Sequence, residues 1–330
     1  MAAARELSHK EYTVGWICAL PLEMAAAMAM LDDIHHDLPV RPIDHNTYTL
    51  GRIGKYNIVV ACLPAGVYGT TAAAIAATHM MCSFESIRFS LMVGIGGGVP
   101  SKENDIRLGD IVVSYPTRMY GGVVQYDFGK TVTGGRFERT GSLNKPPQAL
   151  LIAVSKLQAI QMTEGSQIPI FLSDMVAKYP EMKAKFTHRG QHQDGLFEAE
   201  YDHNHIRSRN ACDNCDASRL VVRPARATDD PMVYYGLIAS GNQVIKDGRT
   251  RDLLAQELGI LCFEMEAAGL MDNFPCLVIR GICDYSDSHK NGQWQGYAAA
   301  TAAAYAKELL SVISPSHSNI PSAADVIIAA

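Results

Sequence analysis

The 330-residue chain has no apolar run of the ~18 residues that a membrane-spanning helix needs, so no membrane partner is expected. It has no surplus of cations: 29 Lys and Arg stand against 34 Asp and Glu, a net charge of −5. Binding to a phosphate backbone rests on clustered positive charge, and nucleic acid is therefore not an expected partner. Arg5 and Glu6 stand where a secretory signal needs its apolar core, so no export signal is read. Charged residues are scarce, at 19% against 48% hydrophobic, which excludes a chain too polar to fold. A disulfide framework is also missing. Of the eight cysteines, Cys18, Cys62, Cys82, Cys262 and Cys276 fall in apolar runs that read as core, where a thiol acts as a small hydrophobe. Such usage suits a reducing, cytoplasmic setting.

What is present is an alternation of short apolar runs and longer helical stretches. Residues 12–19 (YTVGWICA) read as a buried strand. Pro21 then suits the first turn of a helix reaching Leu31. Residues 47–50 and 57–63 read as a hairpin. An alanine-rich helix follows at 70–81, then a strand at 90–93 that runs into Gly94-Ile95-Gly96-Gly97-Gly98. Further strands are expected at 109–114, 236–240 and 277–281, and helices at 147–157, 250–258, 263–270 and 294–313. This alternation predicts an α/β protein, a three-layer α/β/α sandwich with a central mixed, largely parallel sheet. One domain is expected over 1–313. Residues 171–228, polar and poor in apolar periodicity, read as an insertion on it, and 314–330 as a mobile tail.

Three acidic positions stand where a strand or core segment ends, the place where open α/β sheets gather their active sites. Glu23 follows the opening strand inside an apolar stretch; it can hold and deprotonate a water, or simply favour a helix start. Glu264 and Glu266 lie in Phe263-Glu264-Met265-Glu266-Ala267-Ala268, costly in a core without partners. A carboxylate there can accept from two vicinal hydroxyls such as a ribose diol; the alternative is a solvent-facing helix start. Asp284 follows the strand ending at Gly281. Half-buried, it would hold a proton and could pass it to a leaving nitrogen, or it is a cap or turn residue. The glycine run matches neither a dinucleotide fingerprint nor a Walker loop. Cys212-Asp213-Asn214-Cys215, with His203 and His205 upstream, has metal-like spacing but falls short of a clear four-ligand pattern. No metal and no cofactor are predicted.

Taken together these blocks resemble the nucleoside phosphorylase family, and within it the methylthioadenosine/adenosylhomocysteine nucleosidases. The resemblance runs over about residues 12–312, through VGWICALPLE at 14–23, the glycine run, GDIVVS at 109–114, GLIASG at 236–241, FEMEAA at 263–268 and FPCLVIRGICD at 274–284. Fungal members, some joined to NACHT or repeat domains, look most similar. The resemblance implies that Glu23 activates water, that Glu266 holds the ribose hydroxyls, and that Asp284 protonates N7 of a purine. It places Arg280 beside the ribose-binding loop and Val244 and Ile245 against the base. Trp294 falls where the family has an aromatic near base and ribose, and Ile95, Gly96, Gly97, Glu264 and Met265 line the substrate site. A homo-oligomer, by preference a dimer, is implied too.

The departures point to water as nucleophile. Where purine phosphorylases bind phosphate through an arginine and a serine, this chain has Met92 and Ile95, which can do neither. Its first loop offers Pro21-Leu22-Glu23, whose carboxylate repels a phosphate dianion. The expected function is a purine nucleosidase that hydrolyses adenosine, inosine or guanosine to base and ribose. The alternatives are a phosphate-dependent phosphorylase, or a nucleoside-sensing module without turnover. Cys283 replaces a frequent serine.

Overall fold

In the opening apolar run, β1 (Val14–Cys18) is buried at every position, as a strand covered on both faces by helices must be. The computed structural model describes residues 7–39, 41–117, 119–203, 212 and 214–314. After β1 come α1 (Pro21–Met30), β2 (Asp33–Ile34), β3 (Tyr48–Ile53), β4 (Tyr56–Cys62), α2 (Thr70–Ser83) and β5 (Phe89–Gly98). The middle of the chain forms β6 (Ile111–Ser114), β7 (Val123–Gln125), a small hairpin of β8 (Gly129–Thr131) and β9 (Phe137–Arg139), then α3 (Gln148–Glu164), α4 (Ile168–Lys178) and α5 (Lys183–Phe186). It closes with β10 (Val233–Ser240), α6 (Gly248–Leu258), β11 (Ile260–Glu264), β12 (Cys276–Asp284) and α7 (Gln295–Val312).

The main sheet runs β11-β10-β6-β12-β5-β1-β4-β3-β2. β1 is parallel to β4 and β5, β12 to β5, and β10 to β6, β7 and β11. β3 is antiparallel to its neighbours and β12 to β6. The sheet is mixed and largely parallel, as expected.

Successive strand residues face opposite sides, so each central strand feeds two cores. Trp16, Leu91 and Leu277 face α1, α3 and α7. Their neighbours Ile17, Met92 and Val278 face α2. Each large apolar side chain so buried contributes about 1.5–3 kcal/mol. In α7, 14 of 18 residues are buried. Its alanines let β5, β12, α1 and α4 close around it on several sides.

Four differences from the sequence reading have local causes. β5 continues through the glycines to Gly98, because they pair with the edge of β11: Cys262 with Gly98 and Phe263 with Gly97. Phe263 and Glu264 end a strand because they pair with Ala239 and Ser240 of β10, and only a short 3-10 turn, Ala267–Gly269, follows where a helix was expected. α4 begins before residue 171; it buries Ile168 and Met175, and Phe171, Leu172 and Val176 pack beside them on the same face, a helical stripe at the start of a segment that is polar further along. Cys82 is exposed on α2 rather than in the core. The tail from 315 onward lies outside the described residues. Among the described residues no helix is long and apolar enough to cross a membrane.

Candidate active site

The carboxyl ends of β1, β5, β10, β11 and β12 surround a cavity of about 250 Å³. Each end delivers one group of side chains. Glu23 comes from the first turn of α1, directly after β1, and Ile95, Gly96 and Gly97 from the end of β5. Val244 and Ile245 follow β10, while Glu264, Met265 and Glu266 follow the run of β11. All of these positions were read from the sequence as site residues.

Glu23 is buried, and its carboxylate stitches three segments together. Oε2 accepts from the backbone N–H of Ala19 at 2.7 Å and of Leu20 at 2.9 Å, and Oε1 from that of Ile95 at 2.8 Å. The Leu20 bond closes the start of α1 from its N3 position, half of a capping box. Burial pushes the Glu23 carboxyl above its ordinary value, although Arg280 and the three amides work the other way. A carboxylate offers about four lone-pair directions, so one remains for a water.

Arg280, inside β12, is fully buried and lies under the cavity floor. Its Nη2 donates to Glu264 Oε2 and lies 3.4 Å from Glu266 Oε2. Glu264 also accepts from the backbone N–H of Glu266 at 3.1 Å and of Ala267 at 3.0 Å. Glu264 is therefore engaged in shaping its own loop, whereas Glu266, which also lines the cavity, carries fewer protein partners. The Gly69 N–H donates to Glu266 Oε1 at 3.3 Å.

Three carboxyls, Glu23, Glu264 and Glu266, share one guanidinium. Burial raises the Glu266 carboxyl to about 7; Arg280 opposes the rise, and Glu264 and Glu23 add to it. Burial alone would lower the Arg280 guanidinium, but the three acids hold it above its ordinary value. The glycine run makes this crowding possible. A Cβ on Gly94 would stand 2.4 Å from Glu23 Oε1 and 2.5 Å from Arg280 Nη1.

Asp284 ends β12 and is buried. Its Oδ1 accepts from the Ser286 N–H at 2.9 Å, and its Oδ2 meets Lys290 Nζ at 2.8 Å. It stands behind Gly97, where a Cβ would lie 2.7 Å from Asp284 Oδ1 and 2.1 Å from Ser286 Oγ. Asp284 itself lines a second cavity of about 500 Å³, and Cys283 and Lys290 line both. The aspartate thus sits at the seam of the two spaces. Trp294 is not brought to the first cavity. Its buried ring packs against His188 and Tyr297, with Nε1 donating to the Gln193 carbonyl at 3.4 Å. Lys290 escaped the sequence reading, because a lysine in a polar loop carries no periodic signal; Tyr68 and Gln243, also in the lining, were missed for the same reason.

A family model described as the phosphorylase superfamily matches residues 13–314. The chain belongs to that superfamily. This phosphorylase-superfamily chain is 51% identical over 310 residues to a nucleotide-binding leucine-rich repeat (NLR)-like protein of Hyaloscypha variabilis, covering 94% of this chain and 30% of that one. It thus spans about three tenths of that relative's length. It is also 24% identical over 306 residues to the 5′-methylthioadenosine/S-adenosylhomocysteine nucleosidase of Mycobacterium bovis, covering 91% of this chain and 96% of that one. Among solved structures, the futalosine hydrolase of Helicobacter pylori matches with a TM-score of 0.57 at 17% identity, over 92% of this chain and 99% of that one. The methylthioadenosine/adenosylhomocysteine nucleosidase of the same organism matches with a TM-score of 0.57 at 17% identity, over 91% and 98%. The nucleoside phosphorylase-like fold expected from the motifs is the fold of this chain.

Proposed function

We propose that the chain hydrolyses the N-glycosidic bond of purine ribonucleosides, with water as nucleophile. One arrangement supports the reading: Glu23 and Glu266, far apart in sequence, line one cavity, and Asp284 stands behind Gly97 where that cavity adjoins a second one. The apolar wall of Ile95, Val244, Ile245 and Phe263 suits a planar base. In the proposed step, Asp284 gives N7 a proton as the bond between C1′ and the base lengthens, and the bonding pair leaves with the base. Glu266 accepts the 2′- and 3′-hydroxyls and steadies a ribosyl centre that becomes oxocarbenium-like, by analogy with glycoside hydrolysis. Glu23 orients the water and takes its proton as the oxygen adds to C1′. Each acid–base group contributes on the order of 10²–10⁴-fold.

Water is favoured over phosphate on charge. Among the described lining residues Lys290 is the one cation, and Asp284 engages it. Arg280 is held beneath by Glu264 and Glu266. Incubation with inosine, adenosine and guanosine, with and without phosphate, tests the reading. Free base and ribose without phosphate are expected, whereas a phosphate requirement with ribose 1-phosphate as product overturns it. The NLR-like relative favours a second reading, a sensing module that binds nucleoside without turnover. The same assay separates the two, since binding without base release selects the sensor.

A further inference from the structure

We infer that His203, Cys212 and Cys215 bind a zinc ion beside the Ser288–His289 segment at the wall of the site. Among the described residues this is the one group of three or more His, Cys, Asp or Glu side chains whose ligand atoms all lie within 4.8 Å of one another. The Cys215 N–H donates to the Cys212 carbonyl at 2.9 Å, which holds the two cysteines close together. No disulfide joins them. Tetrahedral zinc, with Zn–S near ~2.3 Å and Zn–N near ~2.0 Å, holds its donors roughly 3.3–3.8 Å apart. Side-chain rotation therefore closes the observed spacing. Two thiolates and an imidazole select zinc over hard cations such as magnesium or calcium. The remaining corner is left for a water or a further donor. His205, also singled out by the spacing, lies outside the described residues.

The position of this group gives the ion a consequence. The His203 N–H donates to Ser288 Oγ at 2.8 Å, and Cys212 Sγ lies 3.8 Å from the His289 carbonyl. The His203 ring meets the His289 ring edge-on at 5.5 Å, and His289 stacks on Phe197 at 4.0 Å. The next residue, Lys290, holds Asp284. A metal pinning 203 to 212 and 215 thereby fixes the segment that positions Lys290 against the aspartate, so the ion acts by holding the loop and takes no part in bond cleavage.

The test uses the full chain expressed in zinc-replete medium and purified without chelator, with metal content measured by mass spectrometry. About one zinc per chain is expected, together with its loss in the Cys212→Ser, Cys215→Ser double variant. In case that variant fails to fold, the metal-stripped wild-type chain is titrated with Co²⁺. A thiolate-to-cobalt charge-transfer band is expected. Wild-type protein without stoichiometric zinc, an absent cobalt band, or a Cys212–Cys215 disulfide in place of metal overturns the assignment. None of these readouts depends on the substrate, so their failure is distinct from failure of the nucleosidase reading.

Discussion

The guanidinium of Arg280 reaches Glu266 Oε2 at 3.4 Å from beneath the cavity floor while the same nitrogen holds Glu264. One buried cation therefore sets both carboxylates of the FEMEAA segment, and it faces Glu23 across Gly94. The acids at this cavity are arranged from below by a residue that does not line the cavity.

Arg280→Met removes that cation and leaves buried acids uncompensated. Breaking a buried ion pair by deleting one partner costs about 3–5 kcal/mol. Urea unfolding is expected to show a loss of that order, and base release is expected to vanish. A variant with wild-type stability contradicts the arrangement.

Glu266 gives stability a pH signature. Its carboxyl is raised to about 7 in the folded chain from an ordinary 4.5. Between those values the native state binds more protons than the unfolded one, so this contribution is fully present below pH 4.5 and is lost as pH rises through about 7. The thermal midpoint of the wild type is expected to fall across that window, and the fall is expected to shrink in Glu266→Gln. Ribose hydroxyls need the ionised carboxylate as acceptor, so kcat/KM is expected to rise over the same range. A kcat/KM that does not change as pH passes through about 7 contradicts the role given to Glu266.

Gly94→Ala tests the crowding directly. The new methyl would meet Glu23 Oε1 at 2.4 Å and Arg280 Nη1 at 2.5 Å. Overpacking of this kind costs about 1–3 kcal/mol, and displacement of Glu23 is expected to cut kcat more than it changes KM. Steady-state kinetics beside a thermal melt checks both.

Lys290→Met removes the 2.8 Å partner of Asp284 Oδ2 and lets the carboxyl turn. A displacement of about an ångström costs on the order of 100-fold, so a drop of that size in kcat is expected with the fold intact. An unchanged kcat shows that Lys290 does not position the aspartate.

The sandwich was legible because β1, the first half of β5 and the first half of β12 are short, largely apolar runs, and the acids because each lies at or just past the end of such a run. Val14 to Cys18 needs no partner sequence to read as a central strand. Phe263 and Glu264 misled, since FEMEAAGL has helical composition; pairing with Ala239 and Ser240 of β10, and of Phe263 with Gly97, makes them the end of a strand. The ion pairing of Arg280 cannot be read from spacing, because Glu264 and Glu266 meet it only through pairing of β11 with β10 and β5. Trp294 carried a role suggested by resemblance alone. Here the 171–228 segment supplies His188 and the Gln193 carbonyl, which hold the indole away from the first cavity. Ile168, Phe171, Leu172, Met175 and Val176 recur in α4 at helical spacing, a signal obscured by the polar residues that follow it.

The central claim is that one linkage is cleaved between Glu23, Glu266 and Asp284. It is tested most directly by measuring purine release from a nucleoside panel with wild type and Asp284→Asn side by side, each checked for the same urea midpoint. The account predicts base release by the wild type and its loss in the variant at unchanged stability. Full turnover by a well-folded Asp284→Asn protein would contradict it.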